Sequence, residues 1–129
     1  MTVLTKSPTL GDLLKFELNA SYCRETVTLK AGTSYPLGAV LGKITASGKY
    51  RLSPAAAVTG DEGVETAIAV LLEAVDAAGA DQIGVIVARG PAILSKAALA
   101  FDASVDQPAE KTAKHTQLAT AGLVARETA

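Results

Sequence analysis

The sequence predicts a small α+β domain that is mostly β, with short strands and one helix near the C-terminal end. Short apolar runs recur between turns that contain glycine or proline, as in a succession of strands. The segment after Asp106 combines a helix start signal with a helix stop signal. The length of 129 residues is that of a single domain.

The N-terminal residues predict a mobile arm followed by a strand. Residues 1–14 are polar and interrupted by a proline and a glycine, without a sustained helical or strand period. Leu14, Phe16 and Leu18 alternate with charged residues, as in a strand with one apolar edge. The pattern leaves open whether this segment is a plain edge strand or docks on a partner.

Residues 26–30 predict a strand, and residues 35–52 predict a β-hairpin around which the other strands are arranged. Turn formers at 36–38 and 46–48 flank the first, apolar strand of the hairpin, and alternating polarity resumes after them. Gly42 lies inside that first strand, which indicates a bulge or a close approach of another backbone segment.

Residues 53–63 contain the turn formers of a loop, and two interpretations compete for the apolar stretch that follows. The apolar residues of 64–75 fall at helical spacing, but a short apolar run also suits a buried strand. Residues 83–87 form the clearest strand, because four of these five residues are β-branched. We expect that strand to be central and buried on both faces.

A helix is predicted from Asp106 to about Ala121. A proline lies in its first turn, and Glu110 lies near the positive end of the helix dipole. Gly122 is expected to cap the C-terminal end of the helix, and residues 123–125 are expected to form a short closing strand.

The composition argues against several classes of partner. A formal net charge of −1 gives no basic surface for nucleic acid, so we expect no nucleic-acid partner. The N-terminal residues lack the continuous apolar core of a signal peptide or spanning helix, so we expect no membrane partner and synthesis in the cytoplasm. Cys23 is the only cysteine, which excludes a disulfide within one chain.

The residues predict no catalytic, cofactor-binding or metal-binding site. The glycines of 38–42 lack the spacing of a phosphate-binding loop. Cys23 and His115 have no neighbouring signature of an activated thiolate, and we expect a packing cysteine and a histidine on the helix surface. The loop carboxylates lack the spacing of a calcium loop and are expected to be solvated: Asp61, Glu62, Asp76 and Asp81.

Several segments in succession resemble the head decoration proteins of tailed bacteriophages, the lambda-type family. They are RETVTLKAG at 24–32, GAVLGKITASGKY at 38–50, AVLLEAVD at 69–76, IGVIVAR at 83–89 and QLATAGLVAR at 117–126. The resemblance extends from about Phe16 onward. It implies a β-tulip or β-clip architecture and a buried strand at residues 66–72, which favours the strand interpretation there.

The resemblance also implies a function. It suggests a homotrimeric structural protein of the virion that binds the major capsid protein on the outer surface of the expanded head. The binding positions would be the threefold and quasi-threefold axes, and binding would stabilise the shell without enzyme activity or a cofactor. We expect residues 1–15 to be a flexible capsid-binding arm and residues 16–129 to be the decoration domain.

Four residues are the expected capsid contacts: Leu14, Phe16, Leu18 and Tyr22. Phe16 is the best single anchor, because a large apolar side chain in a strand can fill a pocket of the partner. We therefore expect a chain without the residues before Ala20 to fold but to bind heads weakly.

A different class of function is a small β-barrel-like enzyme or ligand-binding module of bacterial origin. Its pocket would lie between the sheet and the helix at 108–121. A trimer that co-sediments with expanded capsids supports decoration, whereas a monomer with a deep polar pocket and a ligand-dependent thermal shift supports the module.

Overall fold

The computed structural model describes residues 10–127, without the side chains of residues 11 and 12. The elements are α1 (Leu10–Leu13), β1 (Leu14–Glu17), α2 (Ala20–Cys23), β2 (Arg24–Leu29), β3 (Thr33–Tyr35), β4 (Val40–Lys43), β5 (Tyr50–Leu52), β6 (Ala69–Leu71), β7 (Val75–Ala77), β8 (Gln82–Val87), β9 (Ala92–Ser95), α3 (Pro108–Thr120) and β10 (Leu123–Arg126). Five strands form a closed barrel in the order β2-β5-β4-β6-β8, three form a sheet in the order β1-β9-β10, and β3 pairs with β7.

The predicted fold class is confirmed, because the chain is mostly β and carries one longer helix near its C-terminal end. Within the described residues, α1 and α2 are single turns, which the sequence did not predict. Most of the predicted arm, residues 1–9, lies outside the described residues.

The predicted hairpin is formed by β4 and β5. Leu41 lies opposite Leu52, and the turn is closed by the amide of Gly48, which donates to the carbonyl of Ile44 at 2.8 Å. The close approach predicted at Gly42 is also confirmed. A Cβ atom at Gly42 would lie 2.2 Å from the carbonyl oxygen of Val64, so a side chain has no room there.

Alternate residues of the central barrel strands belong to two different hydrophobic cores. Leu41, Leu71 and Ile86 point into the barrel, where they are fully buried. Their neighbours Val40, Val70 and Val87 point outward into a second core, which also contains buried residues of β9, β10 and α3. The strands β4 and β6 and the C-terminal half of β8 are therefore covered on both sides.

The strand interpretation of residues 66–72 is confirmed in its centre. Ala69–Leu71 forms β6, which pairs with β4 on one side and β8 on the other. All three of its residues are buried, so every position is apolar and the period of two is hidden in the sequence.

The prediction that residues 83–87 are buried on both faces is wrong for the first half of the strand. Ile86 and Val87 are fully buried, but Ile83 is 68% exposed. The second core covers the outside of β8 only near its C-terminal end, where Val85 and Val87 pack against it. Ile83 lies beyond that cover.

The ends of α3 follow the sequence signals. Glu110 accepts a hydrogen bond from the backbone N–H of Gln107 in a capping box, and Pro108 is the first helical residue. Gly122 has a φ of 85°, a left-handed conformation that favours glycine, directly before β10. The predicted helix, its glycine cap and the closing strand are confirmed.

Lys114 on α3 connects the helix to the long loop between β5 and β6. The residue is 2% exposed, and its ammonium group donates to Ser53 Oγ at 2.9 Å, to the Pro54 carbonyl at 2.6 Å and to the Glu65 carbonyl at 2.6 Å. Burial lowers the pKa of Lys114. This role could not be predicted from the sequence, because the acceptors are distant in the chain.

We predict that Lys114→Met lowers the free energy of unfolding by roughly 2–4 kcal/mol, because buried carbonyl oxygens lose their donor. The measurement is denaturant unfolding at neutral pH. Lys111→Met is the matched control, since Lys111 is an exposed lysine on the same helix. Equal small effects of the two substitutions would contradict the prediction.

Candidate functional site

The register of β1 against β9 determines which residues of the N-terminal strand are exposed. Leu14 lies opposite Leu94 and Phe16 lies opposite Ile93, so the register shifts by one residue between them, as at a β-bulge. Leu14 packs against the second core, as Leu94 does. Phe16 is 47% exposed on the opposite face. The alternation in the sequence suggested one shared face, and the shift separates the two side chains.

The predicted boundary at residue 15 between arm and domain falls inside β1. Leu13, one residue before β1, is fully buried in the second core. Glu17 accepts two hydrogen bonds from the guanidinium of Arg24, at 2.6 and 3.1 Å, which ties β1 to the first barrel strand and raises the pKa of Arg24. A deletion up to Ala20 would therefore remove part of the folded domain.

Tyr22 lies in α2, which connects β1 to the barrel. The side chain of Asn19 caps this turn by accepting hydrogen bonds from the amides of Ser21 and Tyr22 at 2.8 and 3.2 Å. The guanidinium of Arg89 lies 5.4 Å from the centre of the Tyr22 ring and forms an ion pair with Glu25. Tyr22 is held in place, but its ring remains 57% exposed.

The outer face of the sheet formed by β1, β9 and β10 carries a row of apolar side chains. Ile93 in β9 lies opposite Phe16 on one side and opposite Val124 on the other. Residues paired in this way project from the same face of a sheet. Leu18 continues the surface, because its amide donates to the carbonyl of Pro91 at 3.0 Å. We call this surface the outer sheet face.

Exposed large apolar residues concentrate at the outer sheet face. Of the five such residues in the described part of the chain, four lie on it or in the connection that follows β1, and only Ile83 lies on the barrel. A cluster of this kind on a small protein indicates an interaction surface. The five are Phe16 (47% exposed), Leu18 (61%), Tyr22 (57%), Ile83 (68%) and Val124 (38%).

Three of the four predicted contact residues are exposed: Phe16 and Leu18 at this surface, and Tyr22 in α2, which follows β1. Leu14 is turned toward the core. The sequence did not indicate that Val124 and Ile93 lie at this surface, because residues 123–125 are all apolar and show no alternation that separates two faces.

A polar cleft of about 230 Å³ lies at one end of the barrel. Its lining includes Lys30, Tyr35, Arg51 and Asp102. Beside it, Asp61 accepts hydrogen bonds from Lys30 and Arg51, each at 2.8 Å, and these bonds lower the pKa of Asp61. Asp61 is only 6% exposed, so the prediction that this carboxylate is solvated is wrong. Its two cations fix the loop to the barrel.

The other carboxylates expected to be solvated, Glu62, Asp76 and Asp81, are exposed. Asp81 is nevertheless held by Lys49 at 2.6 Å and by the amide of Ala31 at 2.7 Å. These contacts lower the pKa of Asp81. Asp81 thus connects its own turn to the segments that contain Ala31 and Lys49.

Cys23 is a packing cysteine, as predicted, because it is fully buried in the second core with a free thiol. The prediction of a surface histidine is wrong in part. His115 is half-buried, its ring lies 5.8 Å from that of Phe101, and its Nε2 atom has no hydrogen-bond partner among the described residues. Burial lowers the pKa of His115.

The alternative function predicts a ligand pocket between α3 and the barrel. Protein side chains occupy that region. Leu118 is fully buried in the second core, and Gln117 accepts a hydrogen bond from the amide of Ala67 at 2.7 Å. In residues 10–127, no cluster of three or more His, Cys, Asp or Glu side chains is placed to hold a metal ion. No helix in that part of the chain is long and apolar enough to span a bilayer.

Comparison with known families gives one match. The family model described as bacteriophage lambda head decoration protein D matches residues 3–123. The matched span includes the barrel, α3, and the strands β1 and β9 of the outer sheet. No curated protein matches the chain.

We predict that Asp61→Asn lowers the free energy of unfolding at pH 7 by about 1–3 kcal/mol, because Lys30 and Arg51 lose a charged acceptor. The lowered pKa of Asp61 means that its contribution is present above the usual value of 3.8 and is lost as the pH falls through the folded-state pKa. The difference between variant and parent should therefore shrink in acid.

Denaturant unfolding between pH 7 and pH 2.5 checks this prediction. Asp106→Asn is the matched control, because it removes the charge of an exposed aspartate. A difference for Asp61→Asn that does not change with pH would show that the ion pairs do not stabilise the fold.

Proposed function

The chain belongs to the family of bacteriophage lambda head decoration protein D, and we propose that it binds the outer surface of the expanded phage head as a homotrimer. Family membership gives the role of a structural capsid decoration protein. We further propose that the trimer contacts the major capsid protein at the threefold and quasi-threefold positions and that this contact stabilises the shell.

Stabilisation follows from mass action. A protein that binds the assembled, expanded shell and has little affinity for its separated subunits lowers the free energy of the assembled state. A trimer that makes three equivalent contacts also gains from effective concentration, so each contact can be weak. Only 4% of the residues are aromatic, and a core of small side chains is one reason to expect that self-association supports the fold.

The observation that carries the proposal is the concentration of exposed apolar side chains at the outer sheet face. Phe16, Leu18 and Tyr22 expose between 47% and 61% of their surface, whereas most other large apolar side chains of the described chain are buried in one of the two cores. Side chains of this type have a reason to remain outside when a partner covers them. We propose that the shell is that partner.

Phe16 is the proposed anchor, with Leu18 and Tyr22 beside it. Full burial of a phenylalanine side chain is worth roughly 1.5–3 kcal/mol. Leu14 supports this contact from inside, because it packs on the core and fixes the start of β1. Its proposed role in capsid binding is therefore to position Phe16.

We propose that residues 1–9 are the capsid-binding arm and that the decoration domain begins at Leu10. The arm enters the domain through α1, which leads directly into β1. β1 is an edge strand, paired only with β9 in the described residues, so its other edge can accept a strand. An arm bound by strand addition gains backbone hydrogen bonds, against an ordering cost of about 1–2 kcal/mol per residue.

We predict that a chain without residues 1–9 folds and self-associates like the full chain but binds expanded heads more weakly. The expected loss is roughly a hundredfold or more, because all arms of an oligomer are removed together. Light scattering and thermal unfolding test the fold, and co-sedimentation with expanded, undecorated heads of the cognate phage tests binding. Unchanged affinity of the shortened chain would exclude a role for the arm.

Two substitutions separate strand addition from side-chain contact. Leu4→Pro removes a backbone donor that an added strand needs, whereas Leu4→Ala keeps the donor and removes only side-chain atoms. We predict that Leu4→Pro weakens head binding more than Leu4→Ala does. Equal effects would show that the arm binds without strand pairing.

Phe16→Ala tests the anchor. We predict weaker head binding, by about tenfold or more, with little change in stability, because the side chain is already half exposed in the free protein. Ile83→Ala is the control, since Ile83 is exposed on the barrel away from β1. Similar binding by Phe16→Ala and the parent protein would remove Phe16 from the contact.

A further inference from the structure

We propose that His115 is a proton-sensitive contact of the fold, and that protonation of its ring loosens the packing of α3 on residues 96–101. The ring of His115 lies against that of Phe101, with 5.8 Å between the ring centres and 61° between the ring planes. Its Nε2 atom is buried and has no hydrogen-bond partner among the described residues. No other buried side-chain nitrogen or oxygen atom of those residues lacks a partner in this way.

Neutral and protonated imidazole place different demands on this site. The neutral ring carries one N–H group, so Nε2 can remain an acceptor whose donor is missing. The protonated ring carries an N–H group at both nitrogens and a positive charge, so Nε2 becomes a buried cationic donor without an acceptor. Burial of an unpaired charged group costs far more than burial of an unpaired neutral acceptor. The site therefore favours the neutral ring.

The charges near the ring add to this preference. Burial and, to a smaller extent, the positive charge of Lys96 lower the pKa of His115. Lys96 lies in the single turn Lys96–Ala98, which leads to the segment that contacts the ring. Lys111 lies one helical turn before His115, and its ammonium group is 5.9 Å from the centre of the Phe101 ring. A proton on His115 would thus add a third positive charge to this contact.

The other charged groups next to the contact are engaged elsewhere. Asp102 follows Phe101, but its carboxylate accepts hydrogen bonds from the amide and the hydroxyl of Ser104 and lies 3.9 Å from Arg51. Lys114 precedes the histidine, and its ammonium group donates to the loop between β5 and β6. In the described part of the chain, Nε2 therefore has no carboxylate within hydrogen-bond distance.

The segment that contains Phe101 is fixed to the barrel, so α3 is the element that yields. The amide of Ala100 donates to the carbonyl of Gly38 at 2.9 Å, and its carbonyl accepts from the amide of Val40 at 2.8 Å. Leu118 is fully buried in the second core and keeps the helix on the domain. Protonation therefore loosens the middle of α3 without releasing the whole helix.

Proton linkage gives the direction of the effect on stability. The folded-state pKa of His115 lies below its ordinary value of 6.5, so the unfolded chain binds the proton more readily. Stability is lost as the pH falls below 6.5, and the loss stops growing below the folded-state pKa. The stabilisation by Asp61 is lost only near and below 3.8, where its carboxylate is protonated. The range from pH 7.5 to pH 5 therefore reports on His115.

The first experiment is a proton NMR titration of the untagged, full-length protein. The chain contains one histidine, so the ring signals belong to His115. We expect a titration midpoint below 6.5 and backbone amide signals of α3 that shift with the same midpoint. Lys96→Gln removes a neighbouring charge and should raise the midpoint. Lys43→Gln is the matched control, because Lys43 is an exposed lysine on the barrel, and it should leave the midpoint unchanged.

The second experiment is thermal unfolding at pH 7.5 and at pH 5, with two variants that do not titrate in this range. His115→Phe keeps a ring against Phe101, and His115→Gln keeps a polar side chain. The unfolding temperature of the parent protein should fall between the two pH values by about 3 °C or more beyond the fall in either variant. The comparison cancels the titration of every other group.

Each outcome decides the inference. A titration midpoint of the parent protein at or above 6.5 overturns it. Amide signals of α3 that do not follow the titration of the ring overturn the loosening of the helix. Equal falls in unfolding temperature for the parent and both variants also overturn it. If a variant does not fold, the NMR titration of the parent decides. None of these measurements uses phage heads, so they leave the proposed function untouched.

Discussion

The need to cover the barrel strands on both sides determines most of this structure. In β4, β6 and β8, residues that alternate along the strand enter two separate cores, one inside the barrel and one outside it. Val40, Val70 and Val87 would face water if the barrel stood alone. The sheet of β1, β9 and β10 and the helix α3 supply that cover. The second core therefore connects the two ends of the chain to the barrel.

The exposed surface follows from the same arrangement. A sheet that covers a core with one face can present its other face to solvent, and here Phe16 and Val124 are exposed on that other face. The register shift between Leu14 and Phe16 places one side chain in the core and the other on the surface. Val124 is exposed for a related reason: its neighbour Leu123 is buried in the second core, and successive residues of a strand point to opposite faces. The proposed binding surface is therefore the outer face of a sheet whose inner face covers the second core.

Charged groups hold the long loop between β5 and β6 against the rest of the domain. Lys114 binds that loop from the helix side through two backbone carbonyls and Ser53. On the barrel side, Lys30 and Arg51 hold the loop through ion pairs with Asp61, which is a loop residue. Each charge is largely buried but fully hydrogen-bonded, which is the condition under which burial of a charge is tolerated.

Local sequence signals determined the fold class, the hairpin at β4 and β5, the close approach at Gly42 and both ends of α3, because turn chemistry and helix capping act over a few residues. The ordered segments also identified the family. The tertiary structure alone decided that Ile83 is exposed, that Leu14 and Phe16 separate, and that Lys114 and Asp61 are buried. These features depend on which distant segment covers a given face. Alternation along a strand shows which residues share a face. Whether that face is buried depends on segments that are distant in the chain.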